Sequence, residues 1–363
     1  MDSARQEAIA AIRASAAAVV PPGAGLGRVR ALRFTPPGFD RAVLGTMAEM
    51  GWLGLLLEEA KGGAGLGLAE LCALAEALGR GCVPEPFVPV VAMALPVLAD
   101  AGHPELAAAL AGTRLVLPAF QEKPNTLDAT AIATTAEGMN LSGQKRFVAG
   151  AAGADAFLVS ARAGGKIGLF LVDAAAARIA LDGTVDGGGF GTIDLAATPA
   201  QPVQEDAAMA IARALDRAAL ATAAELLGVA EAAFAMTLEY LRTRTQFGRA
   251  IGSFQALQHR AADLSIQLAL ARASIGAAVT AVEAGAQGTR RAAAVSQAKA
   301  RATEAAQLVT RQAIQLHGGI GYTDEHDIGL YLKRAMVLGA LYGNAPLHRA
   351  RFAATARPED DTQ

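Results

Sequence analysis

Cysteine is scarce in this chain of 363 residues: it has two, Cys72 and Cys82, in one helix-like stretch and with no pairing pattern. That excludes a disulfide framework and reads as reduced thiols in a cytoplasm. Histidine is thin too, and His103, His259, His317, His326 and His348 lie scattered without ligand spacing, so no metal site is expected. Charged residues make up only 18 % and the formal net charge is −2, which argues against nucleic acid as a partner. Charges interrupt the apolar runs before they reach the roughly 20 residues of a bilayer crossing, so no membrane span is expected. The opening stretch, MDSARQEAIAAIRASAAAVV, spaces acids and bases at helical intervals. It lacks the basic start, compact apolar core and cleavage site of a secretory signal.

What is present is apolar residue in quantity, 53 % of the chain, enough for two or three domains. Its texture changes twice. Residues 1–115 set apolar positions three and four apart, broken at KGGAGLG, and read as a helical domain. Residues 116–203 hold short runs rich in Val, Phe and Leu between Gly, Asn and Asp turns, which predicts a small β domain. Residues 204–363 return to alanine-rich helix, with segments expected at 206–241, 252–284, 289–317 and 327–357, a four-helix bundle. The fold class is therefore α+β, with the β domain between two helical ones.

One stretch interrupts the bundle. RTRTQFGRAIGSFQALQHR, residues 242–260, places arginines, glutamines, phenylalanines and glycines between two regular helices. A solvated helix end explains the arginines but not Phe247, Gly248, Gly252 and Phe254, which make a compact loop. A nucleic-acid patch is disfavoured by the overall acidity, a docking site for an acidic partner stays open, and a phosphate-bearing cofactor fits better. Arg244 offers a fork of donors, Phe247 an aromatic face, and the glycines close backbone approach.

At this point the chain resembles a known family. RTRTQFGRAIGSFQALQHRAADL and QLHGGIGYTDEHDIGLYLKRA look like two signatures of the flavin-dependent acyl-CoA dehydrogenases. MAEMGWLGLLLEEAKGGAGLGLAELCALAEALGRG and NLSGQKRFVAGAAGADAFLVSAR match two more, in the family's order and over nearly the whole chain. The resemblance implies FAD extended at a subunit interface, with Arg244, Gln246 and Phe247 reaching the pyrophosphate and adenosine end of a neighbour's cofactor. Gln255, Gln315, Gly318 and Gly319 belong to the same site. It also implies an acyl-CoA substrate, dehydrogenated to the trans-2-enoyl thioester, and an electron-transfer flavoprotein as acceptor.

The family's catalytic glutamate is missing from both of its usual places. In ALYGNAPLHR, Tyr342 stands where the glutamate belongs and Asn344 where a flavin-contacting threonine does; with a reference pKa near 10, a tyrosine is a poor base for carbon acids. The alternative position on the first bundle helix is Ala218, followed by Ala219. Glu225, two turns further along that helix's face, is the best remaining candidate for the base, against a structural role paired to a neighbouring helix. Asp216, expected at the start of the helix, and Glu231, expected to be exposed, are weaker. In the β domain, PAFQEKPNTLDATAIAT keeps Gln121 and Glu122 but not the family's flavin-contacting motif. Phe147-Val148-Ala149 retains a ring that can stack on flavin without the threonine beside it. Small residues at Ala218, Ala219, Ala221, Ala223 and Ala224 hint at a roomy acyl pocket. Three readings follow: a working acyl-CoA dehydrogenase, homo-oligomeric, with Glu225 as base; a FAD-clasping subunit in a heterotetramer with a second dehydrogenase chain; or a flavin-free scaffold or acyl-binding protein.

Overall fold

The computed structural model describes residues 3–124 and 126–355. The N-terminal part is helical: Ser3–Ser15 (α1), Gly27–Leu32 (α2), Arg41–Glu49 (α3), Leu68–Arg80 (α4), Leu95–Asp100 (α5) and Leu106–Leu110 (α6). Strands follow at Val116–Ala119 (β1), Thr135–Glu137 (β2), Asn140–Ala149 (β3), Ala156–Ala163 (β4), Lys166–Asp173 (β5), Arg178–Gly183 (β6), Gly189–Pro199 (β7) and Gln201–Gln204 (β8). They form one mixed sheet in the order β6-β7-β3-β2-β4-β5-β8, with β1 beside β4. The pairings of β4 with β1 and β2 are parallel; the others are antiparallel. Its strands β4 and β5 carry near-continuous buried runs, as expected of strands covered on both faces.

The C-terminal part contains Ala208–Thr243 (α7), the two-residue strands Thr245–Gln246 (β9) and Arg249–Ala250 (β10), Gln255–Glu283 (α8), Gly288–His317 (α9), Gly319–Tyr322 (α10), Ile328–Ala340 (α11) and Ala345–Thr355 (α12). The stretch expected to be one helix over 327–357 is two, because the chain leaves helical geometry at Leu341–Asn344. There Tyr342 has φ 53° and Gly343 φ 97°.

In space the chain divides into two compact units. One gathers Met1–Leu26, Cys72–Val83 and Ala219–Gln363; the other Gly27–Leu71 and Pro84–Ala218. The first is thus a helical unit in which α4 crosses α7 at van der Waals limits. A Cβ on Gly79 would lie 2.2 Å from the Glu225 carbonyl oxygen, and one on Gly228 1.9 Å from that of Glu76. Only glycine permits that approach. The alanines read as pocket-lining are all packed away, with Ala218, Ala219, Ala221 and Ala223 at 0 % exposure and Ala224 at 2 %; they serve close helix packing.

Helices α7 and α8 are each long and apolar enough, by length and composition, to cross a membrane, so charges do not interrupt every such stretch as expected. Most of α7's apolar window is buried within the fold. Helix α8 instead exposes Ala262, Ile266, Ala269, Leu270, Ala273 and Ala277 along one face, a stripe of helical period. Cys72 and Cys82 are both buried thiols.

Candidate flavin-binding site

The break between α7 and α8 folds into a hairpin. Thr245 pairs with Ala250 and Gln246 with Arg249, leaving Phe247 and Gly248 as a two-residue turn. Both have positive φ, 52° and 77°, the geometry of a type I′ turn. Phe247 stands at its tip, 89 % exposed, edge-on to Phe254 at 6.1 Å. The Arg249 guanidinium covers Phe254 at 4.1 Å.

Across from the hairpin, α9 ends at Gly318, whose φ of 65° and ψ of −141° are open to glycine alone. Between them lies a groove of about 620 Å³. Five of the expected residues line it together: Arg244, Gln246, Gln315, Gly318 and Gly319. The structure therefore joins the two signature segments, separated by some seventy residues of sequence, into one concavity. Phe247 and Gln255 are not among its lining residues; Phe247 projects from the tip and Gln255 begins α8 on an exposed face.

Tyr240, Ile251, His317 and Ile320 also line the groove and were missed in the sequence. His317 was legible only as a scattered histidine. It stacks on Tyr240 at 4.5 Å and lies 4.7 Å from His326. Its Nδ1 donates to the Ala313 carbonyl at 2.7 Å. Burial lowers its pKa, the Ala313 hydrogen bond opposes that, and His326 adds to the lowering. The ring is thus neutral near pH 7, and its Nε2 is buried with no hydrogen-bond partner among the described residues. A guanidinium fork, two carboxamides and the backbone N–H of Gly319 make a donor-bearing, aromatic-floored groove that fits an anionic dinucleotide, while the Gly318 N–H is taken by the Gln315 carbonyl at 3.2 Å.

The expected chemistry end is built differently. Glu225, on α7, is 7 % exposed. Its Oε1 accepts from Arg334 Nη2 of α11 at 2.7 Å, and the same guanidinium nitrogen donates to the Val83 carbonyl at 2.9 Å. The carboxylate is thus paired with a neighbouring helix. It also acts on Tyr342: burial raises that phenol's pKa, and the Glu225 charge raises it further. The tyrosine at the family's base position is therefore a proton holder, not an acceptor. Asn344 caps α12, its Oδ1 accepting from the Leu347 N–H at 3.0 Å.

Two weaker candidates change place. Asp216 is not at a helix start; α7 begins at Ala208, and Asp216 is two turns in and 2 % exposed. Glu231 is not a free surface residue: it pairs with Arg80 and Arg272, and Arg272 also binds the buried Glu76 at 2.9 Å. Burial would raise Glu76, but Arg272, Arg13 and Arg80 together hold it below the usual carboxylate range.

In the sheet unit, Phe147 has φ 59° and sits where the β3–β7 register slips between Lys145 and Val148. A bulge of this kind re-aims a side chain, and Phe147 is left half-buried with the Arg146 guanidinium 5.1 Å over its ring. Behind it, fully buried Lys145 donates to Glu122 at 2.6 Å and to Ser160 at 3.1 Å. Burial would raise Glu122, yet Lys145, the Ala133 N–H and Thr134 outweigh it and hold the carboxyl at about 2. Glu122 thus pins the loop that stands where the family's flavin-contacting motif belongs.

A helical–β–helical chain with a dinucleotide-sized groove on its last helices has the arrangement of a flavoprotein. Residues 4–111 match the acyl-CoA dehydrogenase N-terminal domain and residues 208–356 its C-terminal domain. The acyl-CoA dehydrogenase IpdE2 of Mycobacterium tuberculosis is 33 % identical over 328 residues, 89 % of each chain. Among solved structures, a Tcur3481–Tcur3483 steroid ACAD variant is 33 % identical with a TM-score of 0.87, covering 96 % of this chain and 98 % of that one. The ChsE4–ChsE5 complex of Mycobacterium tuberculosis is 26 % identical with a TM-score of 0.84, covering 99 % of both. The chain belongs to the acyl-CoA dehydrogenase family, and FAD is the cofactor that family and this groove imply.

Proposed function

We propose that this chain is the FAD-clasping subunit of a heteromeric acyl-CoA dehydrogenase, with the catalytic base supplied by a second chain. The observation that carries the reading is the contrast between two places in one helical unit. Arg244, Gln246, Gln315, Gly318 and Gly319 share one groove, while the base position holds Tyr342 and the nearby Glu225 is tied to Arg334.

In that role Arg244 clamps a phosphate by two parallel donors, Gln246 and Gln315 hold polar groups, and the side-chain-free Gly318–Gly319 backbone lets the cofactor approach closely, with the Gly319 N–H as donor. Bound FAD supplies the hydride acceptor for oxidising the α,β-bond of an acyl-CoA thioester. The exposed Phe247 tip and the apolar outer face of α8 are the surfaces by which this chain meets its partner. Both Tcur3481–Tcur3483 and ChsE4–ChsE5 are two-chain names, which supports pairing here. Electrons leave to an electron-transfer flavoprotein.

One observation favours a second reading, in which Glu225 is itself the base. Its charge acts on Tyr342, so it reaches the neighbourhood where the family's glutamate stands. Against this, an ion-paired carboxylate must leave its guanidinium before it can take a carbon-bound proton.

The test is expression alone and with the second dehydrogenase chain, reading flavin absorbance and acyl-CoA oxidation. Flavin and activity only in the co-expressed complex support the proposal. A yellow, active homo-oligomer made from this chain alone overturns it, and Glu225→Gln in whichever assembly is active then separates the two readings.

A further inference from the structure

Helix α9 carries a lysine with no exposed surface, Lys299. Its Nζ donates to Thr303 Oγ1 at 3.3 Å and lies 3.2, 3.3 and 3.1 Å from the carbonyl oxygens of Leu338, Gly339 and Gly343. Leu338 and Gly339 belong to the last turn of α11, whose carbonyls have lost their i+4 partners because the chain turns away at Leu341. Gly343 lies beyond the turn. One ammonium group therefore grips both sides of the segment that contains residue 342.

A second grip comes from the same helix, one turn earlier. Ser296 lies 3.2 Å from His348 Nδ1, and the buried His348 ring donates from Nε2 to the Tyr342 carbonyl at 2.8 Å. The carbonyls of 342 and 343 are thus both anchored to α9. Burial pushes Lys299 down to about 7; the four surrounding oxygens and the negative end of the α11 dipole favour its charged form and oppose that.

We propose that Lys299 is a positioning residue, fixing the backbone break at Leu341–Asn344 so that the side chain of residue 342 is held beside Glu225. The inference deepens the functional reading in one respect, that position 342 faces the acyl site, but Lys299's hold on the break stands or falls separately. The break itself is signalled locally by Gly343, Asn344 and Pro346; what the buried lysine on another helix adds is the hold on its carbonyls.

The test uses the full chain labelled with 3-fluorotyrosine and read by 19F NMR. Four tyrosines give four lines, and Tyr342→Phe identifies one of them. Tyr322, 78 % exposed, is the internal reference. In the wild type burial and the Glu225 charge hold the Tyr342 midpoint above the ordinary tyrosine value. In Lys299→Met the break loosens, and the gap between that midpoint and the ordinary value closes by about one pH unit or more. Lys299→Gln, whose amide still offers two donors to the carbonyls, restores part of the gap. A folded Lys299→Met protein with the gap unchanged overturns the proposal. So does loss of the cooperative fold in both variants, since Lys299 would then support the whole bundle rather than the break. Flavin content and turnover play no part in this readout, so failure of the heteromer reading leaves it intact.

Discussion

Replacing Arg334 by methionine removes the guanidinium from a carboxylate that has almost no access to water. The Glu225 and Arg334 side chains are 9 % and 15 % exposed, and their charged atoms meet at 2.7 Å. Breaking one partner of a buried pair costs about 3–5 kcal/mol, because the other charge stays behind desolvated. Glu225→Gln is milder: Arg334 keeps the Val83 carbonyl and an amide oxygen in place of the carboxylate, a loss of about 1–3 kcal/mol. The double variant should be less destabilised than the sum, with a coupling of about 2 kcal/mol, since removing both charges leaves neither exposed to the other's absence. In thermal unfolding of the full chain these figures correspond to a fall of about 6–10 °C for Arg334→Met and about 2–6 °C for Glu225→Gln. In an active assembly, Glu225→Gln should leave turnover near the wild-type level. Two outcomes refute the reasoning: a coupling below about 0.5 kcal/mol, or turnover abolished by Glu225→Gln at unchanged stability, which would make this carboxylate the base.

Arg244 is exposed and lines the groove, so Arg244→Ala should leave the melting temperature unchanged. Flavin retention in the assembly should weaken by about 10- to 100-fold, the loss of a charge-assisted phosphate contact, read as flavin absorbance after gel filtration. The Glu122 carboxyl is held at about 2 against an ordinary 4.5. A depressed carboxylate contributes stability above its unfolded pKa and loses it as pH falls through the folded one. Urea unfolding should therefore show stability dropping between pH 4.5 and 2, and Glu122→Gln should flatten that step. Lys145 is also shifted down, held at about 8 by burial against the pull of Glu122. For a base depressed in the fold, the unfolded chain binds more protons between pH 8 and 10.5, so stability should rise with pH over that window. Gly228→Ala should be among the most damaging small substitutions, because its Cβ would fall 1.9 Å from a backbone oxygen. Overpacking of that kind typically costs about 1–3 kcal/mol or more, and circular dichroism melts would show it.

The helical and β textures were legible because each buries one repeating face. The expected helices at 206–241, 252–284 and 289–317 fall within three residues of α7, α8 and α9. The flavin groove was legible because its chemistry lies in residue types that bundle packing does not call for: arginine, glutamine and paired glycines at two helix ends. Most of what escaped was set by partners distant in sequence. The break after Ala340 does carry local signals, Gly343, the capping Asn344 and Pro346, which the single-helix expectation passed over; Lys299, some forty residues earlier, takes the freed carbonyls. The Glu225–Arg334 pair could be stated as an alternative, but only three-dimensional packing brings those helices side by side. Gly79 and Gly228 look unremarkable in alanine-rich runs until the two backbones are seen to touch.

The same distinction separates the retained half of the site from the altered half. A nucleotide clasp needs donors at loop ends, where substitution disturbs little packing, so its persistence points to continued binding. The base position lies among buried groups: Tyr342, Glu225, Arg334, Lys299 and His348 are joined through hydrogen bonds, ion pairing and charge. Exchanging Tyr342 for glutamate would place a second carboxylate beside Glu225, and like charges in such a setting disfavour each other's ionised forms. A glutamate at 342 would therefore enter a network already arranged around Arg334 and a protonated phenol, and the arginine pair would have to rearrange with it.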